Sequence, residues 1–181
     1  NHILVDCKSG LPVCELTTGA NVSDSSVTLE ILKRANSYLP MSECSFLADK
    51  AYDVKAIYNT VHDTYNGDCF IDCCPCNHKC WNNGKKNRGC TKYITLPDDY
   101  RLSIDRSSIA FKSVYALRTE AERYNSRFKQ AGCERVFVRN GNSVKNLNKI
   151  AHISLLSIAI AAVITKKDVS YRSVKTLKRL S

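Results

Sequence analysis

A chain of 181 residues with 44% hydrophobic side chains is long enough to bury one real core. Its net charge of +10 and pI near 9.2 favour a polyanionic partner, nucleic acid ahead of a membrane surface. The longest apolar run, Ile153 to Thr165, is shorter than the roughly 20 residues a membrane span needs, so a buried helix and no membrane partner are expected.

The positive charge is local. Cys73 to Pro97 holds five Lys/Arg and no Asp or Glu, and Arg118 to Lys149 holds eight against three Glu. The tail from Lys166 to Ser181 adds six against one Asp. Ten cysteines without a signal-peptide pattern predict thiols in a reducing cytosol rather than disulfides.

In chain order, Ile3-Leu4-Val5 and Leu11 to Leu16 flank a polar turn with Gly10 and read as a hairpin. Pro12 is tolerable on an edge strand. Ser23 or Asp24 caps a helix whose apolar stripe is Val27, Ile31, Leu32 and Ala35. Ser45 to Asp49 is a short strand ending in an acid, a placement suited to metal chemistry. Asp53 is positioned to cap a helix through about Tyr65, which Asn66-Gly67 breaks. Cys69 to Asp72 is a further strand.

The next stretch is rich in thiols. Cys73, Cys76, Cys80 and Cys90 could supply a tetrahedral Zn²⁺ site, with His78 and Cys74 as substitutes. The alternative is a basic insertion over about 73–92 with incidental thiols. Lys92 to Thr95 and Tyr100 to Ile104 read as a second hairpin, with Asp98 and Asp99 in its turn and Asp105 as a cap or partner of Arg106.

Tyr115 to Lys129 has no Gly or Pro and reads as one long helix. At about 100° per residue, Tyr115, Arg118, Glu122 and Lys129 fall within roughly 60° of one another, while Leu117, Ala121, Tyr124 and Phe128 gather opposite. One carboxylate among cations suits Mg²⁺ beside phosphate; a merely solvated face is the bland alternative. Beyond it, Glu134 to Arg139 is short and extended. Val144 to about Lys166 is a helix, apolar all round in its second half and hence buried, with His152 a hydrogen-bonded core residue.

Tyr115, Arg118, Glu122 and Lys129, at those spacings, resemble the Y-R-E-K signature of DDE transposases from bacterial insertion sequences. Gly10-Leu11-Pro12, Ala20 to Asp24 and Ala48-Asp49-Lys50-Ala51-Tyr52-Asp53 resemble the same family, with Ala51 where Gly is usual. The resemblance runs from His2 to about Ala162. It implies an α/β, ribonuclease H-like mixed sheet flanked by helices over residues 1–165, followed by a basic tail, 166–181.

It further implies that Asp49 and Glu122 are the second and third catalytic acids and ligate Mg²⁺ or Mn²⁺. Tyr115, Arg118 and Lys129 would contact DNA, both element ends and target. The first acid belongs to a strand before the hairpin, so it is expected upstream of Asn1, with Asp6 a turn residue and the 181-residue chain inactive alone. A bacterial, nucleoid-associated location and a homo-oligomer on DNA are also expected. The runner-up is a non-catalytic remnant that binds nucleic acid or zinc.

Overall fold

The computed structural model describes residues 1–72, 99–133 and 137–165. They fall into two units, one formed by Asn1–Met41 with the chain from Ala116 onward, the other by Ser42–Tyr115. The expected zinc ligands Cys73, Cys76, Cys80 and Cys90, their substitutes, Asp98 and the basic tail lie outside the described residues.

The first unit is built on the hairpin, β1 (His2–Asp6) and β2 (Leu11–Leu16), paired antiparallel. Its turn is set by Gly10 at φ 68° and by Asp6, whose carboxylate accepts the N–H groups of Lys8 and Ser9. Burial works to raise the Asp6 pKa, but the Ser9 and Lys8 hydrogen bonds outweigh it and hold the carboxyl below its usual range. Asp6 is thus a turn residue. Register shifts between Leu4 and Val5, opposite Pro12, which has no N–H to give.

Alternation gives the hairpin two working faces. Leu4, Cys14 and Leu16 pack on Val27, Ile31 and Ala35 of α1 (Asp24–Asn36). Ile3 and Val5 pack on Tyr124 and Phe128 of α5 (Thr119–Phe128) and on Ala151 and Leu155 of α6 (Gly141–Ile164). Ser23 occupies the N-cap of α1 without a side-chain cap bond.

Asn140 caps α6 by accepting the Asn142 N–H at 2.9 Å. The expectation that this helix is buried all round is not met. Asn148, Ala151, His152, Leu155 and Ala159 face inward, whereas Ile150, Ile153, Ile160, Val163 and Ile164 are exposed. The periodicity was masked because both faces are apolar. The whole helix, unlike its apolar run alone, is long and apolar enough to cross a membrane by length and composition. His152 is a hydrogen-bonded core residue: Tyr124 Oη lies 2.5 Å from its Nδ1, and the Asn1 amide donates to Nε2 at 3.1 Å. Phe137 to Arg139, expected to be extended, form no strand, and 134–136 lie outside the described residues.

The second unit centres on β3 (Phe46–Ala48) and β4 (Cys69–Ile71), paired parallel. Between them a 3₁₀ turn, Lys50–Tyr52, precedes α2 (Lys55–Asn59) and a π turn over Thr60–Thr64. The expected Asp53 cap is not formed; the N-cap of α2 is Val54. Helical structure ends where expected, because Asn66 takes φ 50° and Gly67 leaves no room for a side chain: a Cβ there would sit 2.3 Å from the Cys44 carbonyl oxygen.

The second hairpin is also corrected. Tyr100–Ser103 forms a helical turn, α3, because Asp99 caps it through the Arg101 N–H at 3.1 Å. Asp105 bonds Ser107, while Arg106 turns inward to the Ile71 and Arg101 carbonyls and the Tyr58 hydroxyl, each at 3.0 Å. Arg106 thereby clamps β4 and α3 onto the buried Tyr58, whose pKa burial pushes up. α4 (Ile109–Tyr115) buries Phe111 against Phe70.

Candidate active site

Asp49 follows β3 directly. Phe46 and Ala48 are buried on one face of the pleat, so the next residue turns away from the core, and Asp49 is exposed. Its carboxylate caps the 3₁₀ turn, Oδ1 accepting the Ala51 N–H at 2.8 Å. A neighbour that sequence reading passed over as a site residue is Asp72. Register pairs Ala48 with Ile71, which puts Asp49 and Asp72 one step beyond the ends of two parallel strands. Carboxyl ends of parallel strands are where ligands gather in open α/β sheets.

Glu122 lies on α5, with Tyr124 and Phe128 buried on the opposite side of the helix. Its side chain is 59% exposed and accepts a contact from the Arg118 guanidinium at 2.7 Å. Arg118 and Glu122 are therefore brought together, i to i+4. Glu120, two residues earlier, has the opposite fate: it is buried and paired with Arg123.

The single-helix reading needs correction. The chain passes from α4 to a 3₁₀ turn over Ala116–Arg118, then into α5, and Lys129 opens a π turn. A 3₁₀ segment advances about 120° per residue rather than 100°, so the helical wheel does not extend unbroken from Tyr115 to Lys129. Tyr115 ends α4, half-buried, its ring stacked on Phe111 at 5.7 Å. Lys129 is exposed. Asp49 and Tyr115 belong to the unit Ser42–Tyr115, and Arg118, Glu122 and Lys129 to the other.

The second unit also holds an acid cluster that the sequence disguised. Asp99, read as a turn residue, is buried and grips Arg101 with both oxygens, at 2.9 and 2.6 Å. The same guanidinium lies 3.7 Å from Asp53. The hydrogen bond to Asp99 raises the Arg101 pKa further, keeping the guanidinium charged. Among the described residues, no three His, Cys, Asp or Glu side chains gather as a metal site.

The transposase DDE domain family matches residues 1–156. The chain belongs to that family. No curated protein and no solved structure matches it. Transposase DDE domains are ribonuclease H-like α/β domains; in place of the expected single mixed sheet, the described residues form two two-stranded sheets, one antiparallel and one parallel, with helices packed on them. The family's function is DNA transposition, its substrate is DNA, and a divalent metal is its usual cofactor.

Proposed function

We propose that this transposase domain carries out metal-dependent strand cleavage and strand transfer, with Asp49 and Glu122 as two of its catalytic acids. The observation that carries this reading is the family match together with the exposure of both carboxylates at the ends of supporting elements. Exposed carboxylate oxygens are the hard donors that Mg²⁺ or Mn²⁺ prefers. When bound, such ions activate the attacking hydroxyl and neutralise charge on the leaving oxygen.

The protein's own residues do the positioning. Glu122 must exchange the Arg118 guanidinium for the metal, and Arg118 is then available to backbone phosphate. Lys129 adds a second phosphate contact and Tyr115 a contact beside the scissile strand. These contacts place DNA without reading its sequence. In the first step a water oxygen bonds to phosphorus and the 3′-oxygen of the element end leaves. In the second, that 3′-hydroxyl attacks target DNA and another 3′-oxygen leaves.

The test is strand cleavage on DNA carrying the element ends, with Mg²⁺ or Mn²⁺. The transposase should cut, and Asp49→Asn or Glu122→Gln should each abolish cutting. Asp6→Asn should leave cutting intact, because Asp6 is held in the hairpin turn by the Lys8 and Ser9 N–H groups. Cutting by the intact protein that survives Asp49→Asn with Glu122→Gln would overturn the reading.

A further inference from the structure

The flank of α5 beside Glu122 carries a second basic feature. Glu120, Arg123, Ser126 and Arg127 line an open pocket of about 240 Å³. At about 100° per residue, Arg123 and Arg127 share one side of the helix, roughly 100–140° round from Glu122. Neither guanidinium is left to wander. Arg123 pairs with Glu120, whose side chain is only 8% exposed while that of Arg123 is 68% exposed. Arg127 donates to the Gly10 carbonyl at 2.5 Å and lies 5.4 Å from the centre of the Tyr124 ring.

We propose that this pocket binds a phosphate group of the DNA backbone, separately from the Arg118 and Lys129 contacts, an inference that rests on the DNA reading above. The chemistry argues for phosphate. Among the described residues that line it, two guanidiniums against one carboxylate make the pocket net positive, and Ser126 adds a hydroxyl donor. Glu120 does not repel the ligand freely, since Arg123 neutralises it. A guanidinium presents a planar fork of five N–H donors, so Arg123 can hold Glu120 with one edge and a phosphate with another. Pre-orientation by buried protein acceptors lowers the entropy lost on binding. Backbone phosphate fits better than a free anion because the pocket is open and sits on the helix that carries Glu122.

The decisive variant is Glu120→Gln with Arg123→Gln in the intact transposase. It removes one charge of each sign, so net charge is unchanged and no buried carboxylate is orphaned. Affinity for a duplex is measured across a salt series, with thermal melting as a check on folding. Losing one charge-assisted phosphate contact should weaken binding about tenfold at low salt and flatten the log–log salt slope by about one. Arg118→Ala with Lys129→Ala is run in parallel. If that pair weakens binding while the double Gln variant matches the parent in affinity and slope, the pocket proposal fails and the DNA reading stands. If the parent itself does not bind duplex, both fail. Inorganic phosphate is titrated as a separate arm. Saturation of the parent at micromolar phosphate, lost in the double Gln variant, would make this a free-anion site and overturn the DNA assignment.

Discussion

Asp49 and Glu122 are held by opposite means. Asp49 is fixed by short-range backbone geometry: the end of a three-residue strand, and one N–H two residues ahead. Glu122 is fixed from a distance, by a helix seated through Tyr124 and Phe128 on the far side and by one arginine a turn earlier. Their surroundings differ too. The unit around Asp49 is tied internally by buried charge, Asp99 with Arg101, and by the Arg106 clamp on Tyr58. The unit around Glu122 is tied by apolar packing and a neutral hydrogen bond, Tyr124 to His152. In both units the interior acids, Asp99 and Glu120, are paired with arginines, while Asp49 and Glu122, the acids proposed for catalysis, are exposed.

The sharpest way to break this contrast is to strip charge from the Asp49 unit. Asp99→Ala leaves Arg101 short of its main partner and should cost about 3–5 kcal/mol in urea unfolding. A loss below about 1 kcal/mol would mean that the ion pair does not organise that unit. Gly67→Ala should cost about 1–3 kcal/mol by the same measurement, because its Cβ meets a backbone carbonyl that cannot swing away.

In the Glu122 unit the expected effect is pH dependence. Burial is the main cause that lowers the His152 pKa below its ordinary 6.5, partly countered by Glu15. The unfolded chain therefore takes up the proton first as pH falls. This contribution to stability is complete above pH 6.5 and declines as pH drops toward the lowered folded value. His152→Gln should flatten that decline, and an unchanged pH profile would contradict it. The smallest effect belongs to Arg118→Ala, an exposed i,i+4 pair with Glu122, which should change stability by no more than about 1 kcal/mol. A larger loss would make the pair a structural element.

Much of the frame was legible because local rules set it. The hairpin, α1, both short strands and the Asn66-Gly67 stop follow from alternation, periodicity and turn chemistry. The errors fall where tertiary contacts decide. Tyr100 to Ile104 alternates like a strand, yet a buried Asp99 caps it into a helical turn. Asp53 has capping chemistry, but its neighbour Val54 takes that place. The 3₁₀ turn at Ala116–Arg118 has no Gly or Pro to announce it. For the site, motif spacing singled out Asp49 and Glu122. The distant partners, Asp53 beside Arg101 and Ile71 and Tyr58 around Arg106, were invisible to it. Glu120 and Glu122 look alike in sequence, and only burial separates the structural acid from the exposed one.

The central proposal is that Asp49 and Glu122 are both metal-ligating catalytic acids of this domain. It is tested most directly by loading the intact transposase with Fe²⁺ in place of Mg²⁺ and mapping where hydroxyl radicals generated at the metal cut the protein backbone. The account predicts cuts beside Asp49 that are lost in Asp49→Asn and cuts beside Glu122 that are lost in Glu122→Gln, all suppressed by excess Mg²⁺. Cuts beside only one of the two residues, or cuts that survive these substitutions, would contradict it.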